Sequence, residues 1–107
     1  DDMLIIRGVN VFPSQIETVL LNEGYAPNYR IEIDRVNNTD TLDVYVELSA
    51  EQFSDTVGAV TDMERKLASA IQAVLGIHPN IHLVAPKSIA RSEGKAVRVI
   101  DRRKLID

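Results

Sequence analysis

Two neighbouring runs of alternating apolar and polar residues constrain the fold of this chain more than any other feature. The first run spans residues 29–34 and the second residues 42–48. Because successive side chains of a strand point to opposite faces of a sheet, each run predicts a strand with one buried and one solvated face. The polar link "NNTD" between them predicts a hairpin. The residues predicted to face the core are Tyr29, Ile31, Ile33, Leu42, Val44, Val46 and Leu48.

A shorter hairpin is predicted near the start of the chain. The β-prone runs Leu4–Ile6 and Val9–Phe12 flank Arg7 and Gly8. Glycine adopts positive φ without steric cost, so this pair predicts a tight turn.

The segment after this hairpin predicts a helix. Pro13 suits a first helical turn, and Ser14 and Glu17 have the spacing of a capping box. Gly24 is expected to end the helix. The residues predicted to share its buried face are Ile16, Val19 and Leu20.

A longer helix is predicted from about Asp55 to Leu75, ended by Gly76. The run "NIHLVAP" then predicts a last strand, stopped by Pro86, and the tail carries one short apolar alternation at Val97 and Val99. The apolar positions that step by three and four along the long helix are Val60, Met63, Leu67, Ala70, Ile71 and Val74.

The order of these elements predicts one α+β domain over residues 1–107. Strand, helix, strand, strand, helix, strand is the split βαβ, or ferredoxin-like, arrangement: an antiparallel sheet with two helices on one face. A short β-hairpin precedes it and a basic tail follows. Many unrelated functions use this fold, so function must be argued from particular residues.

Charge is distributed unevenly and limits the partners of the domain. Residues 87–104 hold seven basic and two acidic residues, whereas the rest of the chain holds five basic and fourteen acidic ones. A basic tail can bind an anionic partner, but an acidic domain overall is a poor non-specific nucleic-acid binder. No apolar run is long enough for a membrane span, and the absence of cysteine fits a cytoplasmic protein.

The stretch "RSEGKAVRVIDRRK", residues 91–104, raises the main functional question. Lys95 follows a glycine in a run of arginines, so it could do chemistry at a phosphate or carboxylate, bind a nucleic acid, or simply keep a surface loop soluble. A phosphate loop requires a glycine where Ile89 stands and a serine or threonine where Ala96 stands, which excludes that motif.

Other candidates favour structural roles. His78 and His82 lie about 13 Å apart in an extended chain, too far to share a metal, and no metal site is predicted. The strands carry Tyr29 and Tyr45 without the aromatic pattern typical of RNA-binding sheets.

Two separated motifs point to a family when they are taken together. "DDMLIIRGVNVFPSQIE" near the start and "IARSEGKAVRVIDRR" near the end closely resemble the C-terminal domain of phenylacetate–coenzyme A ligases, in the adenylate-forming superfamily. The superfamily has a junction aspartate, a glycine seven positions later, an Ile-Glu pair, and a Gly-Lys with an arginine three residues on. The matching residues are Asp1, Gly8, Ile16, Glu17, Gly94, Lys95 and Arg98.

The resemblance implies an enzyme that uses ATP with magnesium and coenzyme A to convert a small aryl carboxylate into a thioester. A large N-terminal domain would bind ATP and the acid, and this domain would be its mobile lid and its partner. Lys95 would serve the adenylation step, supported by Gly94 and Arg98. Asp1, within the junction at residues 1–2, would be the hinge, and the Gly8 hairpin would line the coenzyme A channel.

Two positions depart from the superfamily pattern, and an alternative stays open. Many relatives carry a lysine where Ile5 stands and an arginine where Asn10 stands, so no role is transferred to these two positions. The sequence begins at Asp1, so we expect a piece of a longer ligase that is inactive alone. The alternatives are a free-standing ferredoxin-like regulatory domain that binds a small molecule, and a purely structural interaction domain.

Overall fold

The computed structural model describes residues 2–56, 58–92, 95–96 and 98–103, without the side chains of 91, 92, 95 and 96. These residues form eight strands and three helices. In chain order the elements are β1 (Leu4–Ile6), β2 (Val9–Val11), α1 (Pro13–Asn22), β3 (Tyr29–Val36), β4 (Thr39–Glu47), α2 (Ala50–Asp55), α3 (Val60–Leu75), β5 (Asn80–Val84), β6 (Arg91–Ser92), β7 (Lys95–Ala96) and β8 (Val99–Asp101).

The main sheet has four strands in the order β5-β4-β3-β8. Strands β3 and β4 are antiparallel, whereas β5 runs parallel to β4 and β8 parallel to β3. The predicted α+β class and split βαβ arrangement are confirmed, but the sheet is mixed rather than antiparallel. The reason is that α3 crosses over between β4 and β5 and returns the chain in the same direction.

Strand β8 is the element that the sequence prediction leaves in the basic tail. It is three residues long and pairs Ile31 with Val99 and Ile33 with Asp101. It takes the sheet edge next to β3. Residues 104–107, the end of the predicted tail, lie outside the described residues.

Both predicted hairpins form, and their turns have left-handed backbone. Asn37 and Asn38 have φ of 53° and 63°, the signs that a tight type I′ turn between antiparallel strands requires. Arg7 and Gly8 have φ of 52° and 75°. Asparagine and glycine tolerate this conformation, whereas Arg7 adopts it at some steric cost.

Helix α1 begins at Pro13 as predicted, but the capping prediction at its start is wrong. Phe12 is the N-cap, so Ser14 already lies inside the helix. The Oε1 atom of Gln15 accepts a hydrogen bond of 2.9 Å from the Phe12 amide, and the Gln15 amide donates to the Phe12 carbonyl. Gln15 therefore takes the part predicted for Glu17, whose carboxylate lies elsewhere. Gly24, with φ of 92°, follows the end of the helix as expected.

The long helix predicted from about Asp55 begins later, at Val60, and a short helix that the sequence analysis does not predict, α2, precedes it. Ser49 and Gln52 cap the short α2, and Gly58 has φ of 86° before α3 begins. The predicted end at Gly76 is confirmed, since it has the left-handed cap conformation. Val74, predicted to face the core, is 53% exposed. The buried positions of α3 are Leu67, Ala68, Ile71 and Leu75.

One hydrophobic core lies between the sheet and the helices. The predicted inward residues of β3 and β4 are all nearly inaccessible to solvent, and α1, α3 and the first hairpin contribute to the same cluster. Each fully buried side chain of this size contributes about 1.5–3 kcal/mol to folding. The opposite face of the sheet is polar, as alternation predicts. Within the described residues, no helix has the length and hydrophobicity to span a membrane.

Candidate functional site

Gly8 lies in the turn of the β1–β2 hairpin, where its backbone has positive φ. The inner face of the hairpin, Ile6 and Val11, is fully buried, whereas Ile5 on the outer face is exposed. A Cβ atom added to Gly8 would meet nothing within 4 Å. The glycine is therefore not needed for packing inside this domain, and the space beside it is open to something outside it.

Gly8 also borders an open groove of about 490 Å³. Ile5 lines the groove on the hairpin side, and Asp40 and Arg103 line it on the side of the main sheet. The turn of the hairpin is thus accessible to a ligand.

Lys95 lies on a third hairpin, separate from the Gly8 hairpin and from the β3–β4 hairpin. Strands β6 and β7 are antiparallel, with Arg91 opposite Ala96 and Ser92 opposite Lys95. The Lys95 side chain and the predicted supporting residue Gly94 lie outside the described residues. The backbone nevertheless establishes that Gly8 and Lys95 belong to two different two-stranded sheets.

Arg98 attaches the chain after the Lys95 hairpin to the body of the domain. Its Nη1 atom donates to Oε1 of Glu17 and to the carbonyl oxygen of Pro27, each at 3.1 Å. Its guanidinium carbon lies 4.8 Å from the centroid of the Tyr29 ring. Its carbonyl accepts from the Ile31 amide at 2.6 Å. The Ile-Glu and Gly-Lys motifs, far apart in sequence, therefore meet through Glu17 and Arg98.

Tyr29 forms the buried side of this contact. Burial raises the pKa of its hydroxyl, and a hydrogen bond with Glu17 raises it further, while Arg98 acts in the opposite direction. The hydroxyl therefore stays protonated and can donate to Glu17 at all physiological pH values.

The predicted hinge residue Asp1 lies outside the described residues, so its role stays a prediction. The two histidines have ordinary partners. His78 contacts Oε1 of Gln72 at 2.9 Å, and His82 contacts Asp43 at 2.8 Å. Among the residues that the structure describes, no group of three or more His, Cys, Asp or Glu side chains could hold a metal ion.

Sequence reasoning missed a cluster of charged residues that joins the Gly8 hairpin to the sheet. Asp40, at the start of β4, accepts from the Arg7 amide at 2.8 Å, from Arg35 at 3.0 Å and from Arg103 at 3.1 Å. In the sequence, Asp40 is only the last residue of "NNTD", a stretch that predicts a turn and does not indicate a functional residue. Arg103 looks like one more charge of the basic tail, yet its side chain is 5% exposed.

The carboxylates of this cluster are held in their ionised form. The Arg7 amide lowers the pKa of Asp40 most; partial burial opposes the shift, and Arg35 and Arg103 add to it. The hydrogen bond from Arg103 likewise lowers the pKa of Asp101.

Comparison with known proteins identifies the domain. Residues 8–103 match the model of the AMP-binding enzyme C-terminal domain. The chain belongs to this family. This AMP-binding enzyme C-terminal domain is 34% identical, with a TM-score of 0.87, to a domain of phenylacetate-coenzyme A ligase from Bacteroides vulgatus, over 99% of this chain and 97% of that one.

Longer relatives contain the same domain. Phenylacetate-coenzyme A ligase from Escherichia coli is 42% identical over 99% of this chain and 24% of the relative. A 2-hydroxyisobutyryl-CoA ligase, solved with 2-HIB-AMP and CoA in the thioesterification state, is 40% identical with a TM-score of 0.84, over 97% of this chain and 22% of that one. The chain thus spans about a quarter of the length of its curated relatives.

Proposed function

We propose that this domain is the mobile C-terminal part of an ATP-dependent acid–thiol ligase of the phenylacetate–CoA ligase type. The substrate would be a small aryl carboxylate, phenylacetate or a ring-substituted analogue. The observation that carries the proposal is that four curated relatives are phenylacetate-coenzyme A ligases and that the Bacteroides vulgatus domain comes from the same kind of enzyme. The cysteine-free sequence fits a cytoplasmic enzyme.

The reaction would run in two steps. A carboxylate oxygen of the acid attacks the α-phosphorus of ATP, forming the acyl-adenylate and releasing pyrophosphate. The sulfur of coenzyme A then attacks the acyl carbon, losing its proton, and AMP leaves with the electrons of the broken carbon–oxygen bond. ATP, magnesium and the acid would be bound mainly by the large N-terminal domain, which is the partner of this one.

Lys95 is proposed to act in the first step. Its ammonium group would lie against the carboxylate and the α-phosphate, where negative charge is redistributed as the new bond forms. A preorganised cation at such a position lowers the barrier because it is worth more inside a closed site than in water. Gly94 would let the loop approach closely. The contacts of Arg98 with Glu17 and Tyr29 support this assignment because they anchor the chain three residues after the lysine.

The Gly8 hairpin is proposed to act in the second step. The pantetheine arm of coenzyme A must reach a buried acyl-adenylate through a narrow path, and a residue without a side chain leaves that path open. The open space beside Gly8 supports this role. Because the two hairpins are separate, the domain would have to reorient between the steps, with Asp1 as the hinge.

Related proteins make such a reorientation reasonable. The 2-hydroxyisobutyryl-CoA ligase is known in a postadenylation state and in a thioesterification state, and a domain similar to this chain is present in both. The isolated domain would then fold but catalyse nothing. The free-standing regulatory domain is disfavoured by the much greater length of the curated relatives.

The full-length protein provides the test. With phenylacetate, ATP, magnesium and coenzyme A, it should release AMP and phenylacetyl-CoA in equal amounts, and pyrophosphate formation should depend on the acid. Benzoate and acetate serve as comparison acids. Binding of aryl acids without any AMP formation would contradict the proposal and favour a regulatory domain.

A further inference from the structure

The charged cluster beside the Gly8 hairpin has a geometry that surface ion pairs lack. Asp40 is only 10% exposed and receives donors from three different arginines. One donor is the backbone amide of Arg7, in the turn next to Gly8. The Nε atom of Arg7 also donates to the Asp40 carbonyl at 2.8 Å. Asp40 therefore binds the turn of the Gly8 hairpin through both its carboxylate and its backbone carbonyl.

Arg103 completes the attachment from the other side. Its Nη1 atom donates to the carbonyl oxygen of Ile5, on strand β1 of the hairpin, at 2.6 Å and also to Asp40. Its Nε and Nη2 atoms donate to Asp101 at 3.0 and 2.9 Å. One nearly buried guanidinium thus links β1, the start of β4 and β8.

The hairpin requires such support near its turn. A two-stranded hairpin with three-residue strands is at best marginally stable by itself. Ile6 and Val11 bury one face, which fixes the strands to the core but leaves the turn unsupported. The hydrogen bonds of the cluster involve ionised groups, which are stronger and more directional than neutral ones. They act at the turn, where Gly8 lies.

We propose that Asp40 and Arg103 are positioning residues for thioester formation, which hold the turn of the Gly8 hairpin in the orientation that admits coenzyme A. The inference rests on the proposed function of that hairpin. Arg98 anchors the Lys95 hairpin through Glu17, Pro27 and Tyr29, none of which belongs to this cluster. Loosening the cluster should therefore affect thioester formation and spare adenylation.

The test measures the two half-reactions separately in full-length Asp40→Asn. Thioester formation from phenylacetyl-AMP and coenzyme A should slow by roughly 10-fold to 10²-fold, the cost of displacing a group by about 1 Å. Adenylation of phenylacetate should stay within about 2-fold of wild type, since its contacts are intact. Hydrogen exchange of the peptide covering residues 4–11 should accelerate.

The matched control is Asp34→Asn. Asp34 belongs to the same strand pair, and its carboxylate accepts from the amide of its neighbour Arg35 at 2.8 Å. The control removes one negative charge from the same strand pair, but Asp34 makes no contact with the Gly8 hairpin in the hydrogen bonds described for it. It should leave both half-reactions and the exchange of residues 4–11 unchanged.

Arg103→Lys is the second variant, in case Asp40→Asn does not fold. A lysine keeps the positive charge but cannot reproduce the fork of donors to Ile5 and Asp101. The same selective loss of thioester formation is expected. Equal loss of both half-reactions with a lower melting temperature would make the cluster merely structural, and unchanged thioester formation despite faster exchange would overturn the inference.

Gly8→Leu separates this inference from the proposed function. If Gly8→Leu leaves thioester formation at the wild-type rate, the channel role itself is wrong. If Gly8→Leu blocks that step but Asp40→Asn and Arg103→Lys do not, the channel role stands and the positioning role is wrong.

Discussion

At the scale of single residues, Arg98 shows how one side chain connects two distant motifs. Its guanidinium group donates hydrogen bonds to Glu17 and to the Pro27 carbonyl and also packs over the Tyr29 ring, although the side chain is 38% exposed. A half-exposed ion pair alone contributes about 0.2–1 kcal/mol. The stacking on Tyr29 adds about 0.5–1 kcal/mol. The combined contacts of Arg98 therefore stabilise the domain more than the ion pair with Glu17 does alone.

Arg98→Ala is therefore expected to lower the free energy of unfolding of the 107-residue chain by about 1–2 kcal/mol. Urea denaturation measures this change. Arg65→Ala is the control, because Arg65 pairs with Asp62 where both side chains are largely exposed. Arg65→Ala should change the free energy of unfolding by no more than about 0.5 kcal/mol. Equal effects of the two substitutions would show that the Glu17–Arg98–Tyr29 contact adds nothing special.

At the scale of elements, the Gly8 hairpin and the Lys95 hairpin are attached to the core through different residues, and the attachment of the Gly8 hairpin depends on the carboxylates of Asp40 and Asp101. Asp40 and Asp101 have lowered pKa values in the folded domain, so they favour folding while they are ionised. Their contribution is complete above the ordinary carboxyl pKa of 3.8 and is lost as pH falls through the lower folded pKa. The inner strand β3 carries a third such group, Glu32. Burial would raise its pKa, but hydrogen bonds from Arg102 and Arg30 outweigh burial and lower it.

Acidification below about pH 4 should consequently loosen the Gly8 hairpin before the core unfolds. Hydrogen exchange at a series of pH values, corrected for its intrinsic pH dependence, should show residues 4–11 losing protection earlier than α3. In Asp40→Asn, residues 4–11 should already exchange fast at neutral pH, and acidification should change their exchange little. Simultaneous loss of protection in both segments would contradict the expectation.

Elements also show how far sequence reasoning reaches. The β3–β4 hairpin and the end of α3 follow from alternation, paired asparagines and Gly76, which are local signals. Strand β8 is not predicted because the alternation at Val97 and Val99 is too short to indicate a strand by itself. The attachment of Asp40 to Arg103 could not be predicted, since it depends on the tail returning to the sheet, a long-range arrangement.

At the scale of the whole molecule, the residues of the candidate site also divide into those that the sequence predicts and those that only the structure reveals. Glu17 and Arg98 were found from motif resemblance, and the structure brings them together. Asp40 lies in no motif, and Arg103 only ends the second quoted stretch with no role assigned to it; the charges of both look like ordinary surface charges until their burial is known. Lys95, Gly94 and Asp1 stay predictions for the intact enzyme, in which we propose that a second domain completes the site.

The hinge gives a prediction for the intact enzyme. A residue that must adopt two backbone conformations should not tolerate proline, whose φ is fixed near −65°. In full-length Asp1→Pro, one half-reaction should be spared and the other lost. Asp1→Ala is the control, because it removes the carboxylate but leaves the backbone free to change conformation. Wild-type rates of both steps in Asp1→Pro would remove the hinge assignment.

The central claim is that the two hairpins of one domain serve two different chemical steps. The most direct measurement is the single-turnover rate of each half-reaction in full-length Lys95→Ala and Gly8→Leu. Lys95→Ala should slow adenylation of phenylacetate by roughly 10²-fold to 10³-fold and leave thioester formation from phenylacetyl-AMP near the wild-type rate. Gly8→Leu should do the reverse. If either variant slows both steps by the same factor, or if neither changes any rate, the two-hairpin account is contradicted.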